Sequence, residues 1–528
     1  MGGATTGGVA MGGSAAAGAL PIDPTLASPT LRLPQNGRAT GSVWAERALR
    51  PRFVWDAQPA STFELQVDDS CEVGAIQDCD FASPEWTATN LTDSEATPPM
   101  ALPVSKEAPV GRRYYWRVRS CNSGVCSPWS FVRYLDVGRQ PSDFDGDGFG
   151  DVVVADMGTI QNQGRVLVGF GPKPSTRHIV IQDEVPPETG DHFGQVAKAI
   201  GDVDADGFAD LLVTAPREQE EHPGIAYVYF GSATFADASS RARLALQAEP
   251  GASLSGIAAA AGDVDADGRQ DLVIDSQPDG SRFFRSLGRT VEAVPLAVGK
   301  SGMYQQTSLG DVTGDGYSDL LVVGITTSPS AARYDLLRGT ATGLADAALL
   351  HATTTYPTPY WSVAADVNGD GFSDMANAVN EPPDPDAHHI DVTWGAEAPL
   401  LDANPVTWAG GLSGSYAEFG VTIAAGDVNG DGFEDSIASI QLHTSDVAQA
   451  NLYLGGKGSR TAPDAVYSFK TDVILFVLPG LPSAAGDVNG DGYDDIVVAE
   501  DWSSTARLFF GDPTLDNTPD DTLTVPPP

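Results

Sequence analysis

Seven copies of a nine-residue acidic segment constrain what this chain can fold into. The last copy reads Asp487-Val488-Asn489-Gly490-Asp491-Gly492-Tyr493-Asp494-Asp495, and the apolar run Ile496-Val497-Val498 follows it directly. The copies, numbered loops 1 to 7 below, begin at Asp143, Asp202, Asp263, Asp311, Asp366, Asp427 and Asp487. Each copy has an oxygen-bearing side chain at positions 1, 3, 5 and 9, and a glycine at position 6.

This pattern supplies what a hard cation requires. Ca²⁺ takes about six to eight oxygen ligands at roughly 2.3–2.6 Å, and glycine allows the sharp turn that directs them inward. Asp-Gly and Asn-Gly pairs also mark hairpin turns, and a single copy would leave that alternative open. Seven copies, each with an oxygen ligand at every required position, predict up to seven bound calcium ions.

The charge of the chain restricts its partners. The 528 residues carry a formal net charge of −41 at pH 7, which opposes binding to nucleic acid or to an anionic membrane. The ligand positions of the seven loops hold 24 carboxylates, and seven Ca²⁺ ions would reduce the net charge to −27. Metal is therefore expected to stabilise the fold strongly. No apolar run of about 18 residues is present, so the sequence predicts no membrane span.

All four cysteines lie before residue 130, as Cys71, Cys79, Cys121 and Cys126. Three pairings are possible, and proximity in the sequence favours Cys71–Cys79 and Cys121–Cys126. The spacing does not fit a zinc ribbon, because neither pair is Cys-x-x-Cys. Two disulfides would indicate an oxidising, extracytoplasmic compartment, whereas buried free thiols are the alternative.

Residues 1–28 are predicted to form a flexible tether. The first 24 residues are rich in Gly, Ala, Thr and Ser and carry no charge before Asp23, a composition typical of a flexible linker. They lack the basic start and apolar core of a signal peptide. They resemble the spacer that follows the lipidated cysteine of bacterial surface lipoproteins, which implies a lipid anchor upstream of residue 1. A longer chain with a trimmed leader would leave the same sequence.

Residues 29–138 are predicted to form a small β-sandwich. Clean alternation marks strands such as Thr62-Phe63-Glu64-Leu65-Gln66-Val67, and Gly, Pro and Asn cluster between the strands. An early Trp55, the run Tyr114-Tyr115-Trp116-Arg117-Val118-Arg119 and the segment Ser127-Pro128-Trp129-Ser130 resemble a fibronectin type III domain. Trp55, Tyr115 and Trp116 are interpreted as core residues, and the domain as a spacer or a second binding module.

The remainder, residues 139–528, is repetitive. Successive loops begin 59, 61, 48, 55, 61 and 60 residues apart, a period typical of propellers with four-stranded blades. In the second unit, short apolar runs precede and follow the acidic loop, among them Leu211-Leu212-Val213-Thr214-Ala215-Pro216 and Ala226-Tyr227-Val228-Tyr229-Phe230-Gly231. The predicted fold is therefore all-β, a seven-bladed β-propeller preceded by the sandwich.

The residues around the loops identify the repeat type. An EF-hand needs a bidentate glutamate at position 12, where this chain has Val154, Val213 or Val498. The β-runs after the loops also differ from the helices that follow dockerin-like loops. The pattern resembles the FG-GAP repeat of integrin alpha-chain propellers, whose name-giving residues remain as Phe193-Gly194 and Phe419-Gly420. The terminal element remains only as Thr214-Ala215-Pro216.

The resemblance implies that each cation lies in the loop between the first two strands of a blade, held by side chains at positions 1, 3, 5 and 9 and by the carbonyl of position 7. The implied ligands are Asp143, Asp145, Asp147, Phe149, Asp151; Asp202, Asp204, Asp206, Phe208, Asp210; Asp263, Asp265, Asp267, Arg269, Asp271; Asp311, Thr313, Asp315, Tyr317, Asp319; Asp366, Asn368, Asp370, Phe372, Asp374; Asp427, Asn429, Asp431, Phe433, Asp435; and Asp487, Asn489, Asp491, Tyr493, Asp495. Arg269 is expected to weaken the third site, and the neutral Thr313 makes the fourth the weakest.

The closure of the ring is left open by the sequence. Residues 138–142 make a poor inner strand for the first blade, and Asp521-Thr522-Leu523-Thr524-Val525 supplies a last strand before the terminal prolines. If that strand completes the seventh blade, the first blade borrows or lacks its innermost strand.

Closed cation sites of this kind are expected to be structural, with function on loops at the opposite face. Candidate binding loops are residues 217–222 and 381–389, and candidate aromatic contacts are Tyr356, Tyr360, Trp361, Trp394, Trp408 and Tyr416. The two tryptophans Trp394 and Trp408 have an alternative role in blade cores. The adjacent His388-His389 pair could bind a transition metal, although a solvated loop is the simpler interpretation.

The function expected from these features is that of an extracellular or cell-surface binding protein, stabilised by calcium and adhering to a glycan or a surface protein. The alternatives are a polysaccharide lyase built on a calcium-bearing propeller and a structural spacer in a surface assembly. No serine-nucleophile elbow, phosphate-binding loop or zinc-protease motif is present in the sequence.

Overall fold

The computed structural model describes most of the chain. The described residues are 20–56, 62–156, 164–182, 192–216, 224–247, 253–277, 280–292, 296–297, 303–327, 330–345, 350–354, 360–379, 389–396, 406–409, 417–442, 447–470, 482–500 and 504–526. Within them the structure is all-β, as predicted, and its helices are two short 3₁₀ turns at Glu46–Leu49 and Ile76–Asp78. None of the described helices has the length and apolar character needed to cross a membrane.

The described residues of the N-terminal region form nine strands in two sheets. The strands are β1 (Leu31–Leu33), β2 (Arg38–Ala39), β3 (Phe53–Trp55), β4 (Thr62–Asp68), β5 (Trp86–Leu91), β6 (Glu95–Ala96), β7 (Arg112–Asn122), β8 (Val125–Cys126) and β9 (Arg133–Val137). One sheet has the order β1-β3-β6. The other has the order β2-β9-β7-β4-β5, with β8 paired to β7. We call residues 29–138 the cap domain, because they lie on the acidic loops of the repeat region.

The core of the cap domain lies between these sheets. Trp55 and Trp116 are almost fully buried in one apolar cluster, and Tyr115 is buried in a second cluster on the other face of β7, so the three predicted core residues are confirmed. The predicted disulfides Cys71–Cys79 and Cys121–Cys126 are both formed. Ahead of the domain, the Asp23 amide donates to the carbonyl of Cys126 (2.8 Å).

The repeat region consists, in its described residues, of seven consecutive antiparallel sheets. The first sheet holds β10 (Val152–Asp156), β11 (Arg165–Gly169) and β12 (His178–Gln182); the second holds β13 (Ala197–Ala199), β14 (Leu211–Ala215), β15 (Ile225–Tyr229) and β16 (Arg243–Gln247). The third holds β17 (Ser253–Gly262), β18 (Asp271–Gln277), β19 (Gly280–Phe284) and β20 (Leu296–Ala297); the fourth holds β21 (Met303–Gly310), β22 (Asp319–Thr327), β23 (Ser330–Leu337) and β24 (Leu350–Thr354).

The last three sheets repeat this arrangement. The fifth holds β25 (Tyr360–Ala365), β26 (Asp374–Val379), β27 (His389–Thr393) and β28 (Val406–Ala409); the sixth holds β29 (Ala417–Gly426), β30 (Asp435–Leu442), β31 (Val447–Tyr453) and β32 (Ala465–Lys470). The seventh holds β33 (Pro482–Gly486), β34 (Asp495–Glu500), β35 (Thr505–Phe509) and β36 (Asp521–Thr524). Six sheets thus follow the predicted four-strand pattern, with strands in sequential order.

Neighbouring sheets pack face to face through shared apolar clusters. Val166 and Val168 of the first sheet join Leu211 and Val213 of the second in one cluster. The same kind of cluster joins the second sheet to the third, the third to the fourth, the fifth to the sixth and the sixth to the seventh. Burial of these faces supplies the main favourable term in folding, at about 25 cal/mol per Å² of apolar surface.

The two ends of the repeat region meet. Val152 and Val154 of the first sheet share an apolar cluster with Val497 and Leu508 of the seventh. The C-terminal strand β36 pairs with β35 and so completes the last sheet with the chain's own end. In the described residues the first sheet has three strands, and β10 is its edge. Among the described residues, therefore, no strand pairs with β10 on its inner side.

Candidate metal centres

Each acidic loop follows the first strand of its sheet and leads into the second, except that loop 1 follows the cap domain directly. Loop 2, for example, leaves β13 after Ala199 and enters β14 at Leu211. This position between the first two strands is the one that the sequence resemblance implies.

A cyclic set of hydrogen bonds links the seven loops. In every loop the amide of position 8 donates to the carbonyl of position 1 in the preceding loop, at 2.8 to 3.4 Å. The donors are Ala209, Gln270, Ser318, Ser373, Glu434 and Asp494, and Gly150 of loop 1 donates to Asp487 of loop 7. The bond from Gly150 closes the cycle (2.8 Å), so the loops form a ring at one face of the molecule.

Aromatic side chains reinforce the same ring. The ring of Phe208 at position 7 of loop 2 lies against Gly146 at position 4 of loop 1. The same contact joins Phe372 to Gly314, Phe433 to Gly369, Tyr493 to Gly430, and Phe149 of loop 1 to Gly490 of loop 7. The glycines have positive φ angles, and a Cβ atom at any of them would overlap the neighbouring ring. Close approach as well as turn geometry therefore favours glycine at position 4 of these five loops, whereas loops 2 and 3 have Ala205 and Ala266 there, also at positive φ.

Substitution of Gly490 by alanine tests this contact. Its Cβ would lie 2.5 Å from a ring carbon of Phe149, and its φ is +81°. We expect a loss of about 1–2 kcal/mol from the left-handed backbone and about 1–3 kcal/mol from overpacking, measured by urea denaturation. Gly432→Ala is the matched control, because Gly432 has φ +92° and no atom within 4 Å of the added Cβ. Equal losses in the two variants would contradict the packing argument.

The position-9 aspartate fastens each loop to its own sheet. One carboxylate oxygen accepts the position-2 amide at 2.7 to 3.1 Å in all seven loops. The other oxygen accepts an amide at the end of the third strand at 2.8 to 3.1 Å. In loop 2 these partners of Asp210 are Val203 and Gly231. Asp210 is fully buried, and burial, followed by the charge of Asp202, raises its pKa well above the usual range.

The position-1 aspartate shapes the turn from inside. Its Oδ2 accepts the position-6 glycine amide at 2.8 to 3.1 Å in every loop. Its Oδ1 accepts the position-5 amide in six loops, at 2.9 to 3.1 Å. These bonds wrap the backbone around the carboxylate and direct the side chains of positions 1, 3 and 9 toward one another.

Unpaired oxygen atoms in these loops test whether a cation fits. The buried atoms without a hydrogen-bond partner in the described structure include four position-3 oxygens and one position-1 oxygen: Asp145 Oδ1, Asp265 Oδ1, Thr313 Oγ1, Asn368 Oδ1 and Asp427 Oδ1. An unsatisfied buried acceptor costs about 1–3 kcal/mol. Oxygen ligands from Asp143, Asp145 and Asp151 also come within 4.8 Å of one another, as do those of two further triads in loops 2 and 3. The residues fit a hard divalent cation.

Crowding of carboxylates gives the loops a strongly perturbed electrostatic environment. Burial, with smaller contributions from Asp147 and Asp145, raises the pKa of Asp143 to about 8. Burial likewise raises the pKa of Asp263 to about 7, with Asp267 and Asp265 adding to the effect. Both shifts report that a negative charge is disfavoured there until a positive charge compensates it.

Arginines that sequence reasoning missed supply part of that charge. Arg177 pairs with Asp145 and Asp147 of loop 1. Arg289 pairs with Asp204 and Asp206 of loop 2, Arg285 with Asp265 of loop 3, and Arg338 with Asp315 of loop 4. Arg269, predicted to weaken the third site, pairs with Asp267 (2.8 Å). The four arginines that lie outside the loops (Arg177, Arg285, Arg289 and Arg338) come after the third strand of their sheets, or after the equivalent β11 in the first sheet, but at irregular distances from it. Their pairing with the loops could therefore not be predicted from the sequence repeat.

The cap domain lies on the ring of loops. Its amides of Gly74 and Val110 donate to the loop carbonyls of Asp267 (2.7 Å) and Gly146 (3.1 Å). Contacts of the cap domain reach all seven loops: Val110 to Gly146, Arg113 to Asp202, Gly74 to Asp267, Arg133 to Asp311, Arg32 to Phe372, Arg47 to Gly430 and Arg47 to Tyr493. The sequence suggested a spacer or a second binding module, and the structure shows that this domain lies over the face that the acidic loops form.

The other residues singled out in the sequence have varied positions. Trp408 is fully buried, donates to the Gly458 carbonyl (3.1 Å) and stacks on Tyr453, which makes it a core residue. Trp394 is half-buried against the same cluster. His389 pairs with Asp391 (3.3 Å) at the start of β27. Tyr360 and Trp361 lie in β25, whereas Tyr356, Tyr416, His388 and residues 217–222 and 381–387 lie outside the described residues.

Comparison with known families supports the repeat assignment. Residues 202–274 match the model of the FG-GAP-like repeat, and residues 483–512 match that of the FG-GAP repeat. The two matches contain loops 2, 3 and 7 and confirm the prediction of FG-GAP repeats over those residues. No comparison identifies a fibronectin type III domain in residues 29–138, and that resemblance stays a prediction.

Among solved structures, an ACO/RPE65 chimera aligns with 86% of this chain and 97% of its own, at 7% sequence identity and a TM-score of 0.28. A likeness at that level does not bear on the fold or on the function. Together, the FG-GAP repeats and the two disulfides indicate an extracellular protein.

Proposed function

We propose that this chain is a calcium-stabilised, seven-bladed β-propeller that serves as an extracellular binding protein of the adhesion type. The observation that carries the proposal is the ring of seven acidic loops, in which buried oxygens of Asp145, Asp265 and Asn368 have no partner. An all-oxygen donor set in a flexible turn suits Ca²⁺ better than softer metals. The affinity expected for such extracellular sites is about 10⁻⁴–10⁻³ M.

Two observations support a closed ring of seven blades. The cyclic hydrogen bonds run through every loop and return from Gly150 to Asp487. The apolar cluster that joins the first and seventh sheets has the same face-to-face character as the clusters between successive sheets. A three-stranded first blade is tolerated because its interface with the seventh sheet is already apolar and buried.

The ligand is proposed to bind the face opposite the cation loops. The cap domain contacts all seven loops, so a large partner would have to compete with it for that face. Propellers commonly bind through the loops of one face. In the sequence, the candidate loops 217–222 and 381–389 come between the second and third strands of their sheets, whereas the acidic loops come between the first and second. A glycan or a surface protein is the proposed partner. Attachment of residues 1–28 to a lipid-anchored leader is proposed as the route to the cell surface.

A binding assay in the presence and absence of calcium tests the proposal. The full chain, labelled and incubated with a glycan array and with purified surface proteins in a few mM Ca²⁺, above the expected dissociation constants of about 10⁻⁴–10⁻³ M, should bind a discrete set of ligands. EGTA should abolish the binding, because loss of the cations deforms the scaffold that presents the loops. Absence of any calcium-dependent ligand would contradict adhesion, and product release from a polysaccharide panel would replace it with the lyase.

A further inference from the structure

Three arginines of the cap domain reach position-1 aspartates of alternate loops. The pairs are Arg113 Nη2 with Asp202 Oδ2 of loop 2 (3.7 Å), Arg133 Nη2 with Asp311 Oδ2 of loop 4 (2.9 Å), and Arg47 Nη1 with Asp427 Oδ2 of loop 6 (3.6 Å). The pair in loop 4 is almost completely buried, with 2% of the Arg133 side chain and 3% of the Asp311 side chain exposed. A buried pair of this kind is strongly destabilised when one partner is removed.

All three arginines approach the same oxygen of the aspartate. Oδ2 also accepts the position-6 amide, so the guanidinium and the backbone of the turn share one carboxylate oxygen. The other oxygen, Oδ1, accepts the position-5 amide in loops 2 and 4 and is buried without a partner in Asp427. A guanidinium on Oδ2 therefore leaves Oδ1 for the cation that the loop would hold. Each positive charge holds the carboxylate in the orientation that the other one needs.

Neutral donors of the cap domain bind the outward carbonyls of the same turns. Gly74 and Val110 use backbone amides, and Asn36 Nδ2 donates to the carbonyl of Gly316 (2.8 Å). These carbonyls point outward only because the backbone wraps around the inward carboxylates. Without a cation, the carboxylates at positions 1, 5 and 9, joined in loops 1 to 3 by a fourth at position 3, repel one another in a buried setting, which disfavours the wrapped turn. Loss of the wrapped turn removes the acceptors on which the cap domain docks.

We propose that the cap domain provides the outer coordination shell of the cation sites. Cation binding and docking of the cap domain are therefore thermodynamically linked. Cations strengthen docking, and the docked domain strengthens cation binding by the same factor, as linkage requires. The inference rests on the proposed function for the presence of the cations. It adds that calcium controls whether the loop face is covered.

Amide hydrogen exchange at single-residue resolution on the full chain tests the linkage. The Gly74 and Val110 amides donate across the docking interface, whereas the Val118 amide donates to Ser130 Oγ (3.0 Å) inside the cap domain. On addition of EGTA we expect Gly74 and Val110 to lose protection by at least about fivefold, the lower end of typical couplings, while Val118 keeps its protection. Unchanged protection at Gly74 and Val110 would overturn the proposal, as would equal loss at all three amides.

A pair of variants tests the reciprocal effect. Arg133→Gln removes the buried guanidinium from Asp311, and Arg119→Gln removes a guanidinium that is also buried, with 7% of its side chain exposed, and that pairs with Glu64 inside the cap domain. We expect Arg133→Gln, but not Arg119→Gln, to raise the calcium concentration at the midpoint of a calorimetric titration by about fivefold or more. Equal midpoints in both variants, or tighter binding in Arg133→Gln, would overturn the linkage.

The two experiments separate this inference from the proposal on which it rests. If the wild-type chain shows no calcium binding in the titration, the calcium-stabilised scaffold fails and the linkage with it. If calcium binds and the Gly74 and Val110 amides do not respond, the scaffold stands and only the linkage fails.

Discussion

Chelation of divalent cations lowers the melting temperature of the full chain by more than about 10 °C. A site with a Kd of about 10⁻⁴ M contributes about 2.7 kcal/mol at 10 mM Ca²⁺, and the chain has seven loops of the required composition. A change of 1 kcal/mol shifts the melting temperature by about 2–4 °C in domains of 150–250 residues, and by less in longer chains. Several sites acting together therefore exceed the 10 °C bound even with incomplete occupancy.

The direction of this effect follows from the buried carboxylates. Burial and neighbouring carboxylates raise the pKa of Asp143 to about 8 and that of Asp263 to about 7, so without a cation the charged form of these carboxylates is disfavoured at neutral pH. Differential scanning fluorimetry with EGTA, and with Ca²⁺ added back, measures the shift. Added NaCl of equal ionic strength is the control, because general screening of surface charge also stabilises an acidic protein. A melting temperature that does not change with EGTA would contradict the prediction that the loops bind cations.

Replacement of Asp487 by alanine lowers the free energy of unfolding by about 3–5 kcal/mol. Backbone amides that lose their acceptor cost about 1–3 kcal/mol each, and one cation ligand is also lost. Its carboxylate accepts amides from Gly490 (2.6 Å), Asp491 (3.0 Å) and Gly492 (2.8 Å), and only 1% of the residue is exposed. Alanine leaves these donors without their acceptor inside the turn. The same loop also carries the hydrogen bond from Gly150 that closes the ring.

Thr313→Ala is the comparison for this variant. Thr313 occupies position 3 of loop 4, its hydroxyl is buried, and the structure shows no hydrogen bond to it. Its removal is expected to cost less than about 1 kcal/mol, since no formed hydrogen bond is broken. Asp487→Asn, which keeps one acceptor oxygen, should lie between the two. Urea denaturation in excess Ca²⁺ measures all three, and a loss for Thr313→Ala that equals the loss for Asp487→Ala would contradict the ranking.

Much of the repeat region could be predicted from the sequence because its determinants are local. A nine-residue turn with carboxylates at fixed positions specifies its own hydrogen bonds, as the partners of Asp210 and Asp202 show. The apolar run Leu211–Ala215 after loop 2 forms a strand within the predicted bounds. The disulfides were also accessible to sequence reasoning, because each joins cysteines only five or eight residues apart.

Other features could not be predicted, because they depend on which surfaces meet. In the sequence, the aromatic residues at position 7 look like ordinary apolar residues. Only the structure shows that Phe149 of loop 1 packs against Gly490 of loop 7, at the opposite end of the repeat region. Trp408 was open to two interpretations, and only its complete burial against Tyr453 assigns it to a core. In the same way, only the pairing of β36 with β35 shows that the C-terminal strand completes the seventh sheet.

The sequence by itself determined the seven acidic turns, the β-runs that follow them and the oxygen-rich chemistry of a hard cation, since each is written in a short, repeated stretch. Only the tertiary structure decided that these turns close into a ring and that the cap domain covers it. The contact between Arg133 and Asp311 joins residues 178 positions apart, and a pairing of that separation leaves no periodic or local signal. The contact depends on complementary charges on two surfaces, and these surfaces exist only after both domains have folded.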